Sequence, residues 1–412
     1  MESVQVFNLL DRIFYLNLEE EFYISIRAEK NSNKDILDSE YIKNIIKKQK
    51  QKYQKINSKR KRFNSLYLIT NDDCNLNCRF CSMRSNLLER KVNSINLLDM
   101  DTIIGSIEKI NPRKIIITGG EPTKNSDLLD ILKLIKFNNN ISSKIYLQTN
   151  GTLITEEYFS KLVKLIDGIE MSVGHYKDIS KLEDKIEMIT KKGIDFVTTL
   201  TIDRTINENL DILNLIFKKN IKFILNFINN SGSAYDNNLK IMRYREKIKT
   251  YIIMLEYILN NNFNCDNVVG SLFNYPRIRK SCNAFGKMVT IFPNGDIGMC
   301  NKSFDDFFKI NKYNDIIDEI NNKIESKEYQ ELLCVDKKNM CKDCKFRYFC
   351  GGTCVADELI NSIDIEGCKM NKTFIVFNLL IYDCKITNHD NIKSLKKYLE
   401  FCYNNPEWIN NV

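Results

Sequence analysis

The 412-residue chain lacks several features that mark common classes of protein. No apolar run reaches the roughly 18 residues that a transmembrane helix requires. Residues 1–11 carry acids and no basic stretch before an apolar core, which argues against a signal peptide. No repeat recurs at a fixed period. We therefore expect a cytoplasmic protein with no membrane partner.

Histidine is scarce, with 2 residues, whereas the chain has 14 cysteines. Thiols do not normally form disulfides in a reducing cytoplasm, so metal ligation or catalysis is the better interpretation. The net charge of +8 is a mild excess for this length. Residues 43–62 hold ten basic residues and no acid. A solvated basic helix explains this run better than a nucleic-acid contact does.

From residue 65, short β-rich apolar runs alternate with amphipathic helices. Alternation of this kind predicts a parallel α/β sheet with right-handed crossovers, a partial (β/α)6 relative of the (β/α)8 barrel. Ligands bind such sheets at the carboxyl ends of the strands. Asp101, Ser126 and Thr155 are candidate N-caps for three of the helices. The six predicted strands are residues 66–70, 114–118, 144–148, 168–173, 196–202 and 222–226.

Four other regions flank this predicted barrel of residues 64–236. Residues 1–63 form a small α+β module, with strands expected at 12–16 and 22–26 and a helix at 39–55. Residues 237–281 form a helical bridge, with a helix expected at 239–260. Residues 282–384 are rich in cysteine and turns, with a hairpin turn at 293–296 and an apolar helix at 372–382. Residues 385–412 form a tail.

Three cysteines follow the first predicted barrel strand with the spacing CX3CX2C: Cys74, Cys78 and Cys81. Three thiolates on one tight loop can hold three irons of a [4Fe–4S] cube and leave the fourth iron open to a substrate. A structural zinc site requires four ligands, and this loop offers three and has no histidine nearby.

This spacing, with Phe80 before the last cysteine, resembles the signature of radical S-adenosylmethionine enzymes. Two strand-end segments extend the resemblance: 118–122, which reads TGGEP, and 148–151, which reads QTNG. The family places the first segment at the amino group of S-adenosylmethionine, where glycines permit close approach and carbonyls and a carboxylate suit an ammonium. The residues that the resemblance implies for this cofactor are Thr118, Gly119, Gly120, Glu121, Pro122, Asn150 and Ser172.

The resemblance covers about residues 65–230 and implies the chemistry of the cofactor. A donor such as flavodoxin or ferredoxin reduces the cluster. The reduced cluster then passes one electron into the sulfonium. The carbon–sulfur bond breaks to give methionine and a 5′-deoxyadenosyl radical, which removes a hydrogen atom from the substrate.

Seven C-terminal cysteines are spaced as CX12GX4C, then CX2CX5CX3C, then a final cysteine. This arrangement resembles the SPASM domain of enzymes that modify peptides and proteins. The resemblance implies two auxiliary [4Fe–4S] clusters, which makes three in all. One would be held by Cys341, Cys344, Cys350 and Cys368, and the other by Cys282, Cys300 and Cys354. The fourth ligand of the latter stays open between Cys265, Cys334 and a substrate thiolate. We expect Cys384 and Cys402 to be core thiols.

The resemblance favours maturation of a ribosomally synthesised precursor peptide by a sulfur-to-carbon thioether of the sactipeptide type. A thiolate held at the open auxiliary iron would capture the carbon radical. Maturases of this kind often bind a leader peptide through a small N-terminal domain, which suggests that role for residues 1–63.

The alternatives are formylglycine formation, as in anaerobic sulfatase maturases, and a non-catalytic iron–sulfur electron-transfer protein. A nucleic-acid-modifying enzyme that uses residues 43–62 is a third. Formylglycine formation is disfavoured because Thr118 and Asn301 replace the Gln and Asp that those maturases carry.

Overall fold

The computed structural model describes residues 4–18, 22–27, 40, 43–44, 47–48, 63–83, 93–264, 266–267, 272–273, 276–302, 308–310, 315–360 and 364–412. Most of the predicted helix at 39–55 and of the basic run at 43–62, together with Cys265, lies outside the described residues, and residues 40, 43–44 and 47–48 are helical as expected. No described helix is long and apolar enough to cross a membrane.

An antiparallel sheet opens the chain, formed by β1 (Val4–Leu9), β2 (Arg12–Asn17) and β3 (Phe22–Arg27). We call these three strands the N-terminal sheet. The two strands expected here are confirmed as β2 and β3. The sequence analysis missed β1, in which the alternation of apolar and polar residues shifts phase at Phe7.

The N-terminal sheet packs on the cysteine-rich region through aromatic rings. Phe7, Phe14 and Tyr23 surround Phe349 with ring centroids 6.3, 6.2 and 5.0 Å from its own. Gln5 Nε2 donates to Tyr348 Oη at 3.1 Å beside this cluster. Edge-to-face aromatic pairs are stabilising beyond the area that they bury. The first and last thirds of the chain therefore share one packed interface.

The main sheet has nine strands in the order β12-β11-β10-β4-β5-β6-β7-β8-β9. Strands β4–β9 are parallel neighbours in chain order, which confirms the predicted α/β architecture. They are β4 (Ser65–Ile69), β5 (Lys114–Thr118), β6 (Lys144–Thr149), β7 (Gly168–Ser172), β8 (Asp195–Ile202) and β9 (Lys222–Phe227).

The cysteine-rich region extends this sheet, which was not predicted. Strand β10 (Met288–Ile291) pairs parallel to β4, and β11 (Ile297–Gly298) and β12 (Lys309–Ile310) follow antiparallel. All four residues of β10 are buried. The predicted hairpin is thus confirmed, and Cys300 follows its second strand, β11, which β10 separates from β4.

Five helices cross between the barrel strands: α1 (Met100–Ile110), α2 (Leu128–Lys136), α3 (Glu156–Leu162), α4 (Ile179–Thr190) and α5 (Leu210–Lys218). The Thr155 cap is confirmed, since its side chain accepts from Tyr158 N at 3.2 Å. The Asp101 and Ser126 caps are wrong. Asn96, before Asp101, accepts a hydrogen bond from Leu98 N, and Asn125, before Ser126, accepts one from Asp127 N. Each asparagine therefore starts a turn ahead of the predicted cap.

The remaining helices follow β9 in the chain, and they carry Cys350, Cys368 and Cys402. The helix predicted at 239–260 begins later, at Tyr244. The helix predicted at 372–382 begins earlier, at Ile365, and continues as a π-helical turn over Phe377–Ile381. These helices are α6 (Ser233–Asp236), α7 (Tyr244–Asn260), α8 (Ile316–Glu325), α9 (Lys327–Leu333), α10 (Arg347–Cys350), α11 (Val355–Ile360), α12 (Ile365–Val376), α13 (Asn388–Asn404) and α14 (Trp408–Asn411).

Candidate active site

A cavity of about 500 Å³ opens at the carboxyl ends of β4–β9, and we call it the strand-end cavity. The thiols Cys74, Cys78 and Cys81 line it. Six of the seven residues expected at S-adenosylmethionine also line it: Thr118, Gly119, Gly120, Glu121, Asn150 and Ser172. Pro122, which is buried, begins the short turn Pro122–Lys124 that follows Glu121. The structure therefore gathers the motifs at one edge of the sheet.

The loop of residues 74–81, here the thiol loop, is fixed at several points. Cys81 N donates to Cys78 O at 3.1 Å, and Leu76 N donates to Cys74 Sγ at 3.4 Å. Arg79 Nε donates to Asp203 Oδ2 at 2.7 Å, which fastens the loop to the segment after β8. These contacts hold three thiols at the mouth of the cavity without a disulfide.

Two thiols of this loop, Cys74 and Cys78, resist ionisation without a cation. Burial, together with the neighbouring Cys81 and Cys74 thiols, raises the pKa of Cys78 to about 11. Burial also raises the pKa of Cys74. Metals bind the thiolate form and so supply the missing positive charge. No three potential ligands in the described part of the chain converge on a single point. Thiolates of a [4Fe–4S] cluster bind separate irons, so this donor set fits such a cluster.

Glycine at position 119 is required by a close approach of two loops. A Cβ there would lie 2.5 Å from Asn71 O, nearer than real Cβ contacts come. Gly120 N donates to Asn71 O and Glu121 N to Asp73 O, each at 2.8 Å. The segment after β5 therefore runs against the start of the thiol loop, which a larger side chain would prevent.

Glu121 is a buried carboxylate, 1% exposed, with its hydrogen bonds directed into the protein. Oε1 accepts from Thr149 Oγ1 at 2.6 Å, and Oε2 accepts from Asn150 N at 2.8 Å. Thr123 also donates to Oε1 from its N–H and hydroxyl. The sequence analysis gave this carboxylate to the ammonium of a cofactor. In the structure it ties the segment after β5 to the segment after β6.

Asn150 continues this connection to the thiol loop. Its Nδ2 donates to Asn75 Oδ1 at 2.9 Å and lies 4.0 Å from Cys74 Sγ. Glu121, Asn150 and Asn75 therefore link three strand ends through hydrogen bonds that are buried at Glu121 and partly buried at Asn75. Networks of this kind specify one geometry, because an unpaired buried polar group is costly.

The seven C-terminal thiols fall into two groups. Burial raises the pKa of Cys368 to about 11, and smaller contributions to this rise come from Cys350, Cys344 and Cys341, so these four are neighbours. Burial is also the main cause that raises the pKa of Cys354 to about 11, and Cys300 makes a smaller contribution to that rise. Cys354 in turn raises the pKa of Cys282. These neighbour relations agree with the two ligand sets expected from the sequence, and the binding of a cluster by either set stays a prediction.

Lys338 lies between these two groups. Its side chain is 8% exposed, and Nζ pairs with Glu358 Oε2 at 2.8 Å. It lowers the pKa of Cys341 in one group and of Cys282 in the other, against the larger upward effect of burial. A buried lysine requires a partner, and here it has a carboxylate and two sets of thiols.

Three further described cysteines stand apart from these groups in the sequence. Cys402 is a buried core thiol, as expected. The core assignment of Cys384 is wrong, since it is exposed. The π-helical turn ends at Ile381, and Cys384 therefore lies in the following turn instead of on an apolar helical face. Cys334 is half-buried where α9 ends.

The cysteine-rich region supplies one wall of the strand-end cavity, which sequence reasoning missed. Lys302, two residues after Cys300, lines the cavity, and its Nζ lies 3.5 Å from Asp357 Oδ2. Asn229, after β9, donates to the same oxygen at 3.4 Å. The sequence signal that could have indicated this contact is the lysine two residues after the last cysteine of the CX12GX4C spacing. The wall brings the Cys300 group next to the cavity.

Comparisons with known proteins agree with this site. Residues 68–202 match the model of the Radical SAM superfamily. A probable GTP 3′,8-cyclase of Thermoplasma volcanium is 34% identical over 126 residues, which cover 31% of this chain and 36% of that protein. A probable GTP 3′,8-cyclase of Methanococcus aeolicus is 33% identical over 142 residues, which cover 32% of this chain and 44% of that protein. The chain thus spans less than half the length of either relative.

Two solved structures share the fold over most of the chain. One, described as anSMEcpe with bound AdoMet, has a TM-score of 0.58 and 18% identity, and covers 84% of this chain and 95% of its own. The other, Streptococcus suis SuiB bound to precursor peptide SuiA, has a TM-score of 0.55 and 14% identity, and covers 88% and 96%. Residues 68–202 contain the thiol loop, the Gly119–Gly120 approach and Asn150. The matched part of the chain is therefore a radical SAM domain.

Proposed function

We propose that the protein is a radical SAM peptide maturase that cross-links a ribosomally synthesised, Cys-containing peptide through a thioether. The observation that carries this proposal is the position of the Cys282, Cys300 and Cys354 group, whose neighbour Lys302 lines the strand-end cavity. A second set of redox-capable thiols beside the first suits a reaction in which an electron enters and later leaves. Solved structures of similar fold contain bound peptides, which supports a peptide substrate.

The chain supplies thiol ligands for three [4Fe–4S] clusters in this proposal. Cys74, Cys78 and Cys81 hold the first, Cys341, Cys344, Cys350 and Cys368 the second, and Cys282, Cys300 and Cys354 the third. Bound at the thiol loop, the first cluster supplies the electron that splits S-adenosylmethionine into methionine and a 5′-deoxyadenosyl radical. A flavodoxin or ferredoxin is the proposed source of that electron.

The chain's own residues position the reactants. The residues proposed to bind S-adenosylmethionine at the strand ends are Thr118, Gly119, Gly120, Glu121, Pro122, Asn150 and Ser172. The absence of a Cβ at Gly119 lets this segment pack against Asn71. Glu121 holds the segment in place through its hydrogen bonds to Thr149 and Asn150. The strand-end cavity shields the radical from water and oxygen. Positioning of this kind accounts for much of the rate advantage of enzymes.

The overall reaction balances in atoms and electrons. One hydrogen atom moves from a peptide carbon to the 5′-deoxyadenosyl group, and one thiol proton is released as the sulfur–carbon bond forms. One electron enters with S-adenosylmethionine cleavage, and one leaves when the thioether forms. The peptide therefore loses two hydrogens for each cross-link.

The experiment is anaerobic co-expression with a small Cys-containing peptide encoded beside the gene, followed by mass spectrometry of the peptide. We expect a loss of two hydrogens per linkage, with fragmentation locating the new bond. A peptide that loses its sulfur instead identifies formylglycine formation and contradicts the proposal. A protein that forms no 5′-deoxyadenosine at all would be an electron carrier.

The N-terminal sheet is the proposed docking site for the leader of this peptide. In the order β1-β2-β3, strands β1 and β3 are edges, and exposed edges can accept an added strand. Val6 on β1 is 55% exposed. The same co-expression with a variant lacking residues 1–60 should give unmodified peptide. Undiminished modification would remove the docking role, and because deletion uncovers Phe349, iron content serves as the folding control.

A further inference from the structure

Lys302 is the one cation among the described residues that line the strand-end cavity. The other charged side chains there are Glu121 and Glu170. Glu121 is occupied by Thr149 and Asn150, and Glu170 Oε2 accepts from Gln148 Nε2 at 3.2 Å. The wall contributed by the cysteine-rich region therefore gives the cavity a positive charge that differs from the rest of its lining.

The ammonium of Lys302 has capacity for a ligand. It carries three N–H donors, and its described hydrogen bond is to Asp357 Oδ2 at 3.5 Å, while the nearby Cys354 and Cys300 thiols act on it electrostatically. Charge-assisted hydrogen bonds are usually 2.7–2.9 Å long, so this pair is loose. The Lys302 side chain remains 36% exposed, whereas that of Asp357 is 13% exposed. The carboxylate is thus held in the wall, and the cation borders the cavity.

We propose that Lys302 binds a carboxylate of the peptide substrate. Preferred substrates then carry an acidic side chain, or their free C-terminus, close to the residue that reacts. This inference rests on the proposed function, because it assumes a peptide in the cavity. Carboxylates are the anions that a peptide carries at neutral pH, and a compact ammonium binds them as a point charge. In a half-enclosed cavity the attraction is screened less than on the surface.

The test uses the full-length protein, purified anaerobically with its iron reconstituted and immobilised. The probe is a synthetic octapeptide library in which a Cys near the middle is fixed. Each of the seven remaining positions is Ala, Ser, Asp or Asn. One half of the library has free C-termini and the other half is amidated. Mass spectrometry of the retained peptides gives the ratio of Asp-containing members to their Asn counterparts.

The wild-type protein should retain Asp-containing members about tenfold over their Asn counterparts, and K302Q should lose this preference. K302R should keep part of it, because the positive charge remains. A preference confined to free C-termini identifies the terminal carboxylate as the ligand. Equal ratios for the wild type and K302Q would overturn the inference. K222Q is the matched control, since Lys222 lies at the start of β9 and pairs with Asp195 outside the cavity.

The variant D357N separates ligand binding from a structural role of the ion pair. Removing the competing carboxylate should leave the preference for acidic peptides intact or stronger. If D357N lost the preference as K302Q does, the ion pair and not the cation would be responsible, and the inference would fall. Iron content and uncoupled S-adenosylmethionine cleavage report whether each variant is folded.

The library also separates this inference from the proposed function. A Lys302-dependent preference in a protein that never modifies any Cys peptide would support carboxylate binding and contradict cross-linking. Cross-linking with no preference for acidic peptides would support the proposed function and contradict carboxylate binding by Lys302.

Discussion

Replacing Cys74 by Ala is expected to abolish S-adenosylmethionine cleavage and to remove about four irons per chain. Cys74 is one of three thiols on the thiol loop, and two thiolates are too few to retain a cluster that already lacks a fourth protein ligand. The C-terminal thiols should keep their irons, because they lie in separate groups. Iron analysis and chromatography of 5′-deoxyadenosine measure both effects.

Cys384→Ala is the matched control for this variant. Cys384 is an exposed thiol outside all three proposed ligand sets, so its loss should change neither iron content nor cleavage. Full cleavage by the Cys74 variant would show that the thiol loop does not hold the reacting cluster. The assignment of the active site to the strand ends would then fail.

Glu121→Gln is expected to slow S-adenosylmethionine cleavage about 100-fold, since small misplacements of reacting groups have effects of that size. It should also lower the free energy of unfolding by about 3 kcal/mol, because hydrogen bonds to charged groups are strong and the new amide leaves a buried donor unpaired. Both Glu121 oxygens accept hydrogen bonds from the loops that bear Thr149 and Asn150. Cleavage kinetics and urea unfolding of the holoprotein provide the two measurements.

The control is Glu157→Gln on α3. Glu157 is fully solvated and pairs with Lys161 one helical turn later, so its replacement should change neither quantity. If the Glu121 variant were stable but its affinity for S-adenosylmethionine collapsed, the carboxylate would contact the cofactor directly. That result would restore the role that the sequence analysis gave it.

Much of the fold could be predicted because its signals are local. Each barrel strand is a short apolar run, and its bounds in the structure fall within one residue of those predicted. The cysteine spacings also carried information, because thiols three or four residues apart on one loop must lie close together. The second grouping, with Cys368 beside Cys341, depends on chain folding and was available only through resemblance to a family.

The features that were missed depend on tertiary contacts. Nothing local indicates that β10 pairs with β4, or that Lys302 reaches the strand-end cavity from the cysteine-rich region. Glu121 was expected at the cofactor from its motif alone, and its hydrogen bonds to Thr149 and Asn150 at a different strand end could not be predicted locally. Cys384 was placed on the apolar face of a helix, whereas that helix ends at Ile381, three residues before it.

The most direct test of the account follows a label from the peptide to the cofactor. The co-expressed peptide would be prepared with deuterium on its carbon-bound positions and incubated with the reconstituted protein, S-adenosylmethionine and a reductant. The account predicts 5′-deoxyadenosine that carries one deuterium for each cross-link formed. Label-free 5′-deoxyadenosine alongside a cross-linked peptide would show that the radical does not abstract hydrogen from the peptide, and would contradict the account.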